Sequence, residues 1–369
     1  MDRVREFALK RERLGAFLAQ AKLDGVVLSR TENFAWLGCG ANSVVNAAQE
    51  TGVGTLLAAR DGVTLLANNI ETERLLTEEL GGLELRDCLT FPWHEPHRRE
   101  EIIRTLTARG RFAADDGSCG LPPAPDGFQR LPYVLTEAEI ERYRALGRDA
   151  SQAMERSCRD VSPGMTESET AAGLAGALLA RGATPVVLLA AADERIRRWR
   201  HPLPKDAAVH RYCMLAACAR RQGLVAALTR FVHFGALDAD LAQRHRAVCE
   251  VDAAMIAATR PGRRAGEVFA AGQAAYAAVG HADQWRFHHQ GGAIGYKPRE
   301  YIANPASGEI VLAGQAFAWN PSIQGTKSED TILLAEGGVE VLTAPSAEWP
   351  GIEAPAGAGV LMRPAMLVR

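Results

Sequence analysis

Many of the polar side chains that can transfer protons or bind a charged ligand lie between positions 201 and 330 of the chain. Histidine suits proton transfer because its unperturbed pKa of about 6.5 lets it take up and release a proton at neutral pH. Arginine offers planar, fork-shaped donors that match a carboxylate. The set comprises His201, Arg230, His288, His289, Gln290, Lys297, Arg299, Glu300, Asn320, Ser322, Lys327, Glu329 and Asp330.

Motifs for several other chemistries are missing from the sequence. No G-x-S-x-G elbow of a serine hydrolase occurs. The glycine-rich run 291–295 lacks the G-x-x-x-x-G-K-[ST] spacing of a phosphate-binding loop. The 7 cysteines are scattered without a C-x-x-C pair, which disfavours a zinc ribbon or a disulfide framework. We therefore expect reduced, mostly buried thiols.

The composition is that of an ordinary globular protein of two domains. A hydrophobic fraction of 47% and a charged fraction of 23% are typical of this class, and 369 residues exceed the usual single core. The net charge of -2 gives no reason to expect nucleic acid or an anionic membrane as a partner. The charged N-terminal segment lacks a secretory apolar stretch, and no apolar run is long enough to span a bilayer. We expect a cytoplasmic protein.

The first part of the chain alternates predicted strands and helices, which favours a small α/β domain. Apolar residues at helical spacing predict a helix over 2–21. Two strand-like runs, 54–59 and 63–67, flank Arg60-Asp61-Gly62 and predict a β-hairpin.

A segment rich in Asp, Gly, Ser and Pro, residues 116–135, is typical of a domain boundary. We therefore predict an N-terminal domain over 1–130 and a second domain over 131–369.

The second domain contains an internal repeat. A long helix is predicted over 137–161, and each copy of the repeat then has a Pro-Gly pair, a helix and a closing glycine at the same spacing. The two copies are marked by Pro163, Gly164, Glu169 and Gly182, and by Pro261, Gly262, Glu267 and Gly280. In the first copy, Thr166 and Glu169 form a T-x-x-E capping box. A duplicated helix–loop–helix–strand unit predicts an α+β domain with a pseudo-two-fold repeat.

An ordered set of motifs in this second domain resembles the creatinase, prolidase and aminopeptidase P family. The motifs are the helix entry 161–167, His201-Pro202-Leu203-Pro204, Leu228-Thr229-Arg230, the stretch 288–300, and 327–330 ahead of 338–343. The resemblance implies the family's pita-bread fold, α+β with a pseudo-two-fold repeat, preceded by a smaller α/β N-terminal domain.

The resemblance also implies where metal ligands should lie. Active members of the family hold two divalent metals with carboxylates and histidine. The corresponding positions here are Ala216, Ala227, Gly292, Arg299, Asn320 and Glu329. Alanine and glycine have no side-chain donor, and neutral asparagine is a poor substitute for a carboxylate. Residues 212–229 contain no Asp or Glu, so no local shift of alignment restores the aspartates. We therefore expect no bound metal and no other cofactor.

The same resemblance assigns roles to the remaining polar residues. His201 matches a pocket histidine that, in the metal-free member creatinase, acts as general acid and base on an amidine-type C–N bond. We expect His201, Glu329 and Arg299 to be catalytic. The expected substrate-binding residues are Arg230, His288, His289, Asn320 and Lys327.

The predicted function is a prolidase-like protein that has lost the dinuclear site and performs metal-independent hydrolase or lyase chemistry on a small, carboxylate-bearing C–N substrate. A non-catalytic protein that binds a small-molecule or dipeptide-like ligand and a working metal-dependent proline dipeptidase remain alternatives. His288 and His289 with Glu329 are an alternative single-metal site, and Lys327 with Glu329 an alternative structural salt bridge. The family resemblance implies a homodimer.

Overall fold

The computed structural model describes residues 2–369 and divides into two compact units. The first unit is Met1–Ile140 with Gln222–Leu224, and the second is Glu141–Arg221 with Val225–Arg369. The predicted boundary was at residue 130. The two units divide ten residues later, within the long helix Glu137–Asp160 that leads into the second unit. No helix among residues 2–369 is long and apolar enough to cross a membrane.

The first unit is built on a five-stranded sheet. Its strands are β1 (Gly25–Arg30), β2 (Thr51–Ala59), β3 (Gly62–Asn68), β4 (Asp87–Phe91) and β5 (Phe112–Ala114). Its helices are α1 (Arg3–Ala21), α2 (Thr31–Leu37), α3 (Thr72–Arg74), which continues as a π-helical turn (Leu75–Glu79), and α4 (His97–Thr107), followed by a 3-10 turn (Phe128–Arg130). The sheet order is β4-β3-β2-β1-β5, with β2 and β3 forming the predicted antiparallel hairpin.

The predicted N-terminal helix is confirmed, and its ends follow from its sequence. Asp2 caps α1 by accepting a hydrogen bond from the Arg5 amide, and Lys22 ends the helix in the left-handed conformation. Phe7 and Leu14 lie on its buried face, where apolar burial stabilises the helix more than its intrinsic propensity does.

The second unit contains more helices and strands than the first. Helix α5 (Glu137–Asp160) leads into it, and its other helices are α6 (Glu167–Leu179), α7 (Glu194–Arg198), α8 (Ala239–Ala258) and α9 (Ala265–Ala278), with a 3-10 turn (Gln284–Phe287). Its first strands are β6 (Thr184–Ala192), β7 (Tyr212–Arg221) and β8 (Leu224–His233). The later strands are β9 (Gly291–Ile294), β10 (Tyr301–Ile302), β11 (Ala316–Trp319), β12 (Ser322–Ile323), β13 (Thr326–Lys327), β14 (Asp330–Ala335), β15 (Gly338–Val341), β16 (Gly351–Ala356), β17 (Gly359–Pro364) and β18 (Leu367–Val368).

Two main sheets organise this unit. One has the order β18-β8-β7-β6, and the other has the order β10-β9-β11-β14-β15 and is antiparallel throughout. Two-stranded ribbons, β12-β13 and β16-β17, complete it. A core of apolar side chains from α8, α9 and the second sheet includes Val251, Phe269, Phe317 and Trp319.

The predicted internal repeat is confirmed by matching backbone geometry. The amides of Thr166 and Arg264 donate to the carboxylates of Glu169 and Glu267, three residues on, at 2.8 and 2.7 Å. Each of the two helix entries also makes an isolated antiparallel bridge, Thr166 with Ala208 and Arg264 with Ile310. Both copies use glycines with positive φ before and after the helix, where other residues would be strained.

Candidate functional site

The register of the second sheet brings three chain segments to one end of it. Trp319, the last residue of β11, pairs with Gly291 at the start of β9 and with Asp330 at the start of β14. Residues 288–290, Asn320 and Glu329 flank these positions in sequence, so the sheet places them side by side. Gly291 permits this approach: its φ is +92°, and a Cβ there would lie 2.1 Å from the Ala318 carbonyl oxygen.

Glu329 is the most heavily engaged of these residues. Lys327 Nζ lies 2.7 Å from its Oε2, and Arg299 donates to its Oε1 at 2.9 Å. The Thr229 hydroxyl donates to Oε2 at 2.7 Å. Glu329 is 4% exposed, so this is a buried carboxylate between two cations. The ion pair of Lys327 with Glu329, an alternative raised by the sequence, is therefore present.

The electrostatics keep Glu329 ionised. Burial acts to raise the pKa of Glu329, but the charges of Lys327 and Arg299 outweigh it. Hydrogen bonds from Lys327 and Thr229 add to the same effect, and together these contacts hold the pKa well below its usual range. At neutral pH the three side chains carry one negative and two positive charges.

Beside this triad, three histidines converge. His201 follows α7, while His288 and His289 lie just before β9. The Nε2 atoms of His201 and His288 are 2.9 Å apart, which is hydrogen-bond distance. The rings of His288 and His289 have centroids 4.5 Å apart. The sequence identified all three residues, but not the contact of His201 with His288.

Each of the three imidazoles is biased toward its neutral form. Burial lowers the pKa of His288 to about 2 and that of His289 to about 4, with neighbouring positive charges adding to the shift. Burial and the Lys327 charge also lower the pKa of His201. These shifts favour neutral imidazoles, which can accept a proton or bind a metal ion.

Several polar atoms of the site have no hydrogen-bond partner within residues 2–369. They include His288 Nδ1, His289 Nδ1, Arg299 Nε and Asn320 Oδ1. Lys327 has three N–H donors, and Glu329 is its ion-pair partner in the described chain. A buried polar group without a partner is costly, so these atoms form a set that is suited to a polar ligand.

The predicted substrate-binding role of Arg230 stays a prediction, and the structure places this side chain in a buried ion-pair network. Arg230 is 1% exposed and donates to Asp330 Oδ1 and to the Thr343 carbonyl oxygen, both at 2.8 Å. Asp330 also accepts from Arg363 at 2.7 Å, and Arg363 pairs with Asp252 at 2.6 Å. A buried guanidinium in such an ion-pair chain positions the backbone next to Glu329, and its Nε has no partner among residues 2–369.

Three residues of this region could not be identified from the sequence. Thr229 stood in a motif that resembled the family, but nothing indicated its hydrogen bond to Glu329. Arg363 and Asp252 lie far from the other site residues in sequence and carry no motif. Asp252 lies on α8 and Arg363 on β17, and the packing of α8 against β13 and the β16-β17 ribbon brings these charges together.

The positions that correspond to the family's metal ligands are buried or already engaged in contacts within the protein. Ala216 on β7 and Ala227 on β8 are buried. A Cβ at Gly292 would lie 2.1 Å from the Tyr301 carbonyl oxygen. These three residues provide no side-chain donor atom. Asn320 is buried, and Glu329 has both oxygens occupied by protein donors.

Comparisons with known proteins agree with the fold. The family model described as "Metallopeptidase family M24" matches residues 141–341. The Xaa-Pro dipeptidase from Bacillus anthracis has a similar structure, with a TM-score of 0.78 over 98% of this chain and 100% of that one, at 16% identity. These matches confirm the predicted pita-bread architecture.

The sequence is also similar to two curated proteins, one named as a dipeptidase and the other as a cyclase. "Probable dipeptidase PepE" of Mycobacterium tuberculosis (strain ATCC 25618 / H37Rv) is 28% identical over 224 residues, which are 58% of this chain and 60% of PepE. "Agropine synthesis cyclase" of Rhizobium rhizogenes is 29% identical over 216 residues, 50% of this chain and 53% of the cyclase. The matched stretch thus spans less than two thirds of either relative.

Proposed function

The chain belongs to metallopeptidase family M24, and we propose that it is an enzyme of this family that works without the two-metal centre. Its substrate in this proposal is a small molecule that bears a carboxylate and a scissile C–N bond. The observation that carries the proposal is the position of Glu329 between Lys327 and Arg299, at 2.7 and 2.9 Å. The reaction is a hydrolysis or elimination in which histidine transfers the proton.

The residues present do not fit a dinuclear metal site. A two-metal site needs carboxylates that bridge and clamp both ions, and Ala216, Ala227 and Gly292 supply no donor atoms. The carboxylate of Glu329 already accepts hydrogen bonds at both oxygens. Two fixed protein cations, Lys327 and Arg299, supply positive charge next to Glu329.

His201 is the group best placed to exchange a proton with a substrate. It is exposed, whereas its partner His288 is buried. The Nε2 atom of His201 is hydrogen-bonded to Nε2 of His288. The Nδ1 atom of His201 makes no hydrogen bond to any of residues 2–369. In a hydrolysis, Nδ1 takes a proton from the attacking water as the new C–O bond forms. It then returns the proton to the leaving nitrogen as the C–N bond breaks.

Lys327 and Arg299 provide the anchor for an anionic group. Lys327 has N–H donors beyond the one directed to Glu329, and Arg299 Nε is a buried donor without a partner in the described residues. A substrate carboxylate would satisfy these donors with charge-assisted hydrogen bonds. The amide or hydroxyl of the same substrate would satisfy Asn320 Oδ1, which accepts no hydrogen bond from residues 2–369.

A ring-closing reaction is a second candidate, favoured by the similarity to the agropine synthesis cyclase. The proton step at His201 is the same. The nucleophile is then a group of the substrate itself, which replaces the attacking water. The leaving group takes the proton from His201 as the ring forms.

The test is turnover in the presence of a chelator. Candidate substrates are Xaa-Pro dipeptides, N-acyl amino acids and guanidino carboxylic acids, each incubated with EDTA or with Mn²⁺ and analysed by mass spectrometry. We expect turnover of at least one compound in EDTA, and loss of turnover without loss of ligand binding in His201→Ala.

The matched control is His210→Ala, because His210 is exposed and uses only its backbone amide in the contacts it makes. This variant should keep full activity. Xaa-Pro cleavage that requires Mn²⁺ would contradict the proposal and support a metal-dependent dipeptidase. Binding without turnover of any compound, unaffected by His201→Ala, would support a non-catalytic binding protein.

A further inference from the structure

The three histidines of the site form a compact group of nitrogen ligands. The ligand atoms of His201, His288 and His289 all lie within 4.8 Å of one another, the one such group of His, Cys, Asp and Glu side chains found among residues 2–369. His288 is only 9% exposed, and its Nδ1 has no partner in the described chain. His289 Nδ1 also has none.

The geometry is close to that of a tetrahedral metal site. Nitrogens bound to zinc at about 2.0–2.1 Å lie about 3.3 Å apart in a tetrahedron. The Nε2 atoms of His201 and His288 are 2.9 Å apart, so the two rings need to separate only slightly. Rotation of the imidazole side chains would shorten the longer separations in the group, which reach up to 4.8 Å, to the distance required by the metal. Three imidazoles also leave a fourth position open for water or substrate.

We propose that His201, His288 and His289 bind one divalent transition-metal ion of the zinc, nickel or copper class, and that this ion inhibits the enzyme. The binding part stands on the three side chains alone, and the inhibition rests on the proposed function. An ion on His201 would hold the imidazole that the reaction needs for proton transfer. Metal would thus have the opposite effect from the one it has in a two-metal peptidase.

The surroundings of the group select the kind of ion. Imidazole suits Zn²⁺, Ni²⁺ and Cu²⁺, whereas Mg²⁺, Ca²⁺ and Mn²⁺ prefer oxygen ligands. The charges of Lys327 and Arg299 oppose a cation, and Glu329 compensates for only one of them. We therefore expect Zn²⁺ to bind with micromolar rather than nanomolar affinity, and Mn²⁺ not to bind measurably.

The binding test is a calorimetric titration of the full chain with Zn²⁺, repeated with Mn²⁺. We expect one Zn²⁺ per chain in the unmodified protein. His201→Ala and His289→Ala should each weaken Zn²⁺ binding by about 100-fold or more, because removing a ligand costs more than removing one of its hydrogen-bond partners. His210→Ala is the control and should bind Zn²⁺ unchanged. Co²⁺ absorption spectra of the same variants report whether the ion is bound by these imidazoles.

Several outcomes would overturn the site. They are no Zn²⁺ binding below millimolar concentrations, equal binding in His201→Ala and His289→Ala, or two ions per chain that both persist in these variants. His201 is exposed, so His201→Ala keeps the test sound even if the half-buried His289 position affects folding. If Zn²⁺ binds as expected and turnover is absent, the metal site stands and the proposed function fails. If turnover survives in saturating Zn²⁺, the inhibition fails.

Discussion

Glu329→Gln is the substitution that most directly probes the charge arrangement of the candidate site. Glutamine has the shape of glutamate but not its charge. It would leave the Lys327 ammonium and the Arg299 guanidinium, with side chains 7% and 11% exposed, without a carboxylate. The Thr229 hydroxyl would still have an oxygen to donate to.

The expected cost is large because two cations lose the same partner. Removing one member of a buried ion pair destabilises a protein by about 3–5 kcal/mol, since the other charge stays buried without compensation. We expect a loss of this size in the free energy of unfolding. The double variant of Glu329→Gln with Lys327→Met removes one uncompensated cation. It should therefore recover part of the loss, with a coupling energy of about 0.5–3 kcal/mol.

Urea denaturation followed by circular dichroism, in buffer with EDTA, measures these losses. The matched control is Glu340→Gln, because Glu340 pairs with Arg144 at 2.7 Å but both side chains are about one third exposed. This substitution should cost less than about 1 kcal/mol. A loss in Glu329→Gln no larger than in the control would refute the reasoning. The denaturation is repeated with Mn²⁺ in place of EDTA. A loss that appears only with Mn²⁺ would also refute the reasoning, because Glu329 would then stabilise the fold by binding metal.

Further predictions concern His245, Gly292 and Lys327. Burial lowers the pKa of His245 to about 4. The stability that its neutral form contributes is therefore present above pH 6.5 and is lost as the pH falls. From this group we expect the free energy of unfolding to be about 2 kcal/mol lower at pH 5 than at pH 7, and to depend less on pH in His245→Gln. Gly292→His should not increase the metal content and should destabilise the fold by about 1–3 kcal/mol, because its Cβ would meet the Tyr301 carbonyl oxygen at 2.1 Å; bound metal near two per chain would contradict this. Lys327→Met should raise the pKa of His201, because it removes a charge that lowers it; an NMR titration in EDTA measures the shift, and an unchanged or lower pKa would contradict it.

Much of the fold followed from local patterns in the sequence. The helix over 2–21 and the hairpin around Gly62 appeared where apolar spacing and turn residues predicted them. The repeated Pro-Gly and Glu positions were also equivalent in the structure. These features depend on residues close together in the chain, and for this reason spacing is informative about them.

The contacts of the site depended on long-range register, which spacing does not reveal. Glu329 meets Arg299 only because β9 and β14 both pair with β11 at Trp319. The ion pair of Arg230 with Asp330 could not be predicted for the same reason. Its partner Asp330 belongs to an ion-pair chain that ends at Arg363 and Asp252, and no local signal links these residues.

Elemental analysis of the protein after dialysis against Mn²⁺ and then against metal-free buffer tests the central claim most directly. Mn²⁺ prefers oxygen ligands, so it reports on a carboxylate-built two-metal centre and not on the three histidines. A site with Glu329 held by Lys327 and Arg299 predicts well under one Mn²⁺ per chain. A content near two per chain would contradict the account and show that this protein keeps the metal centre of a working peptidase.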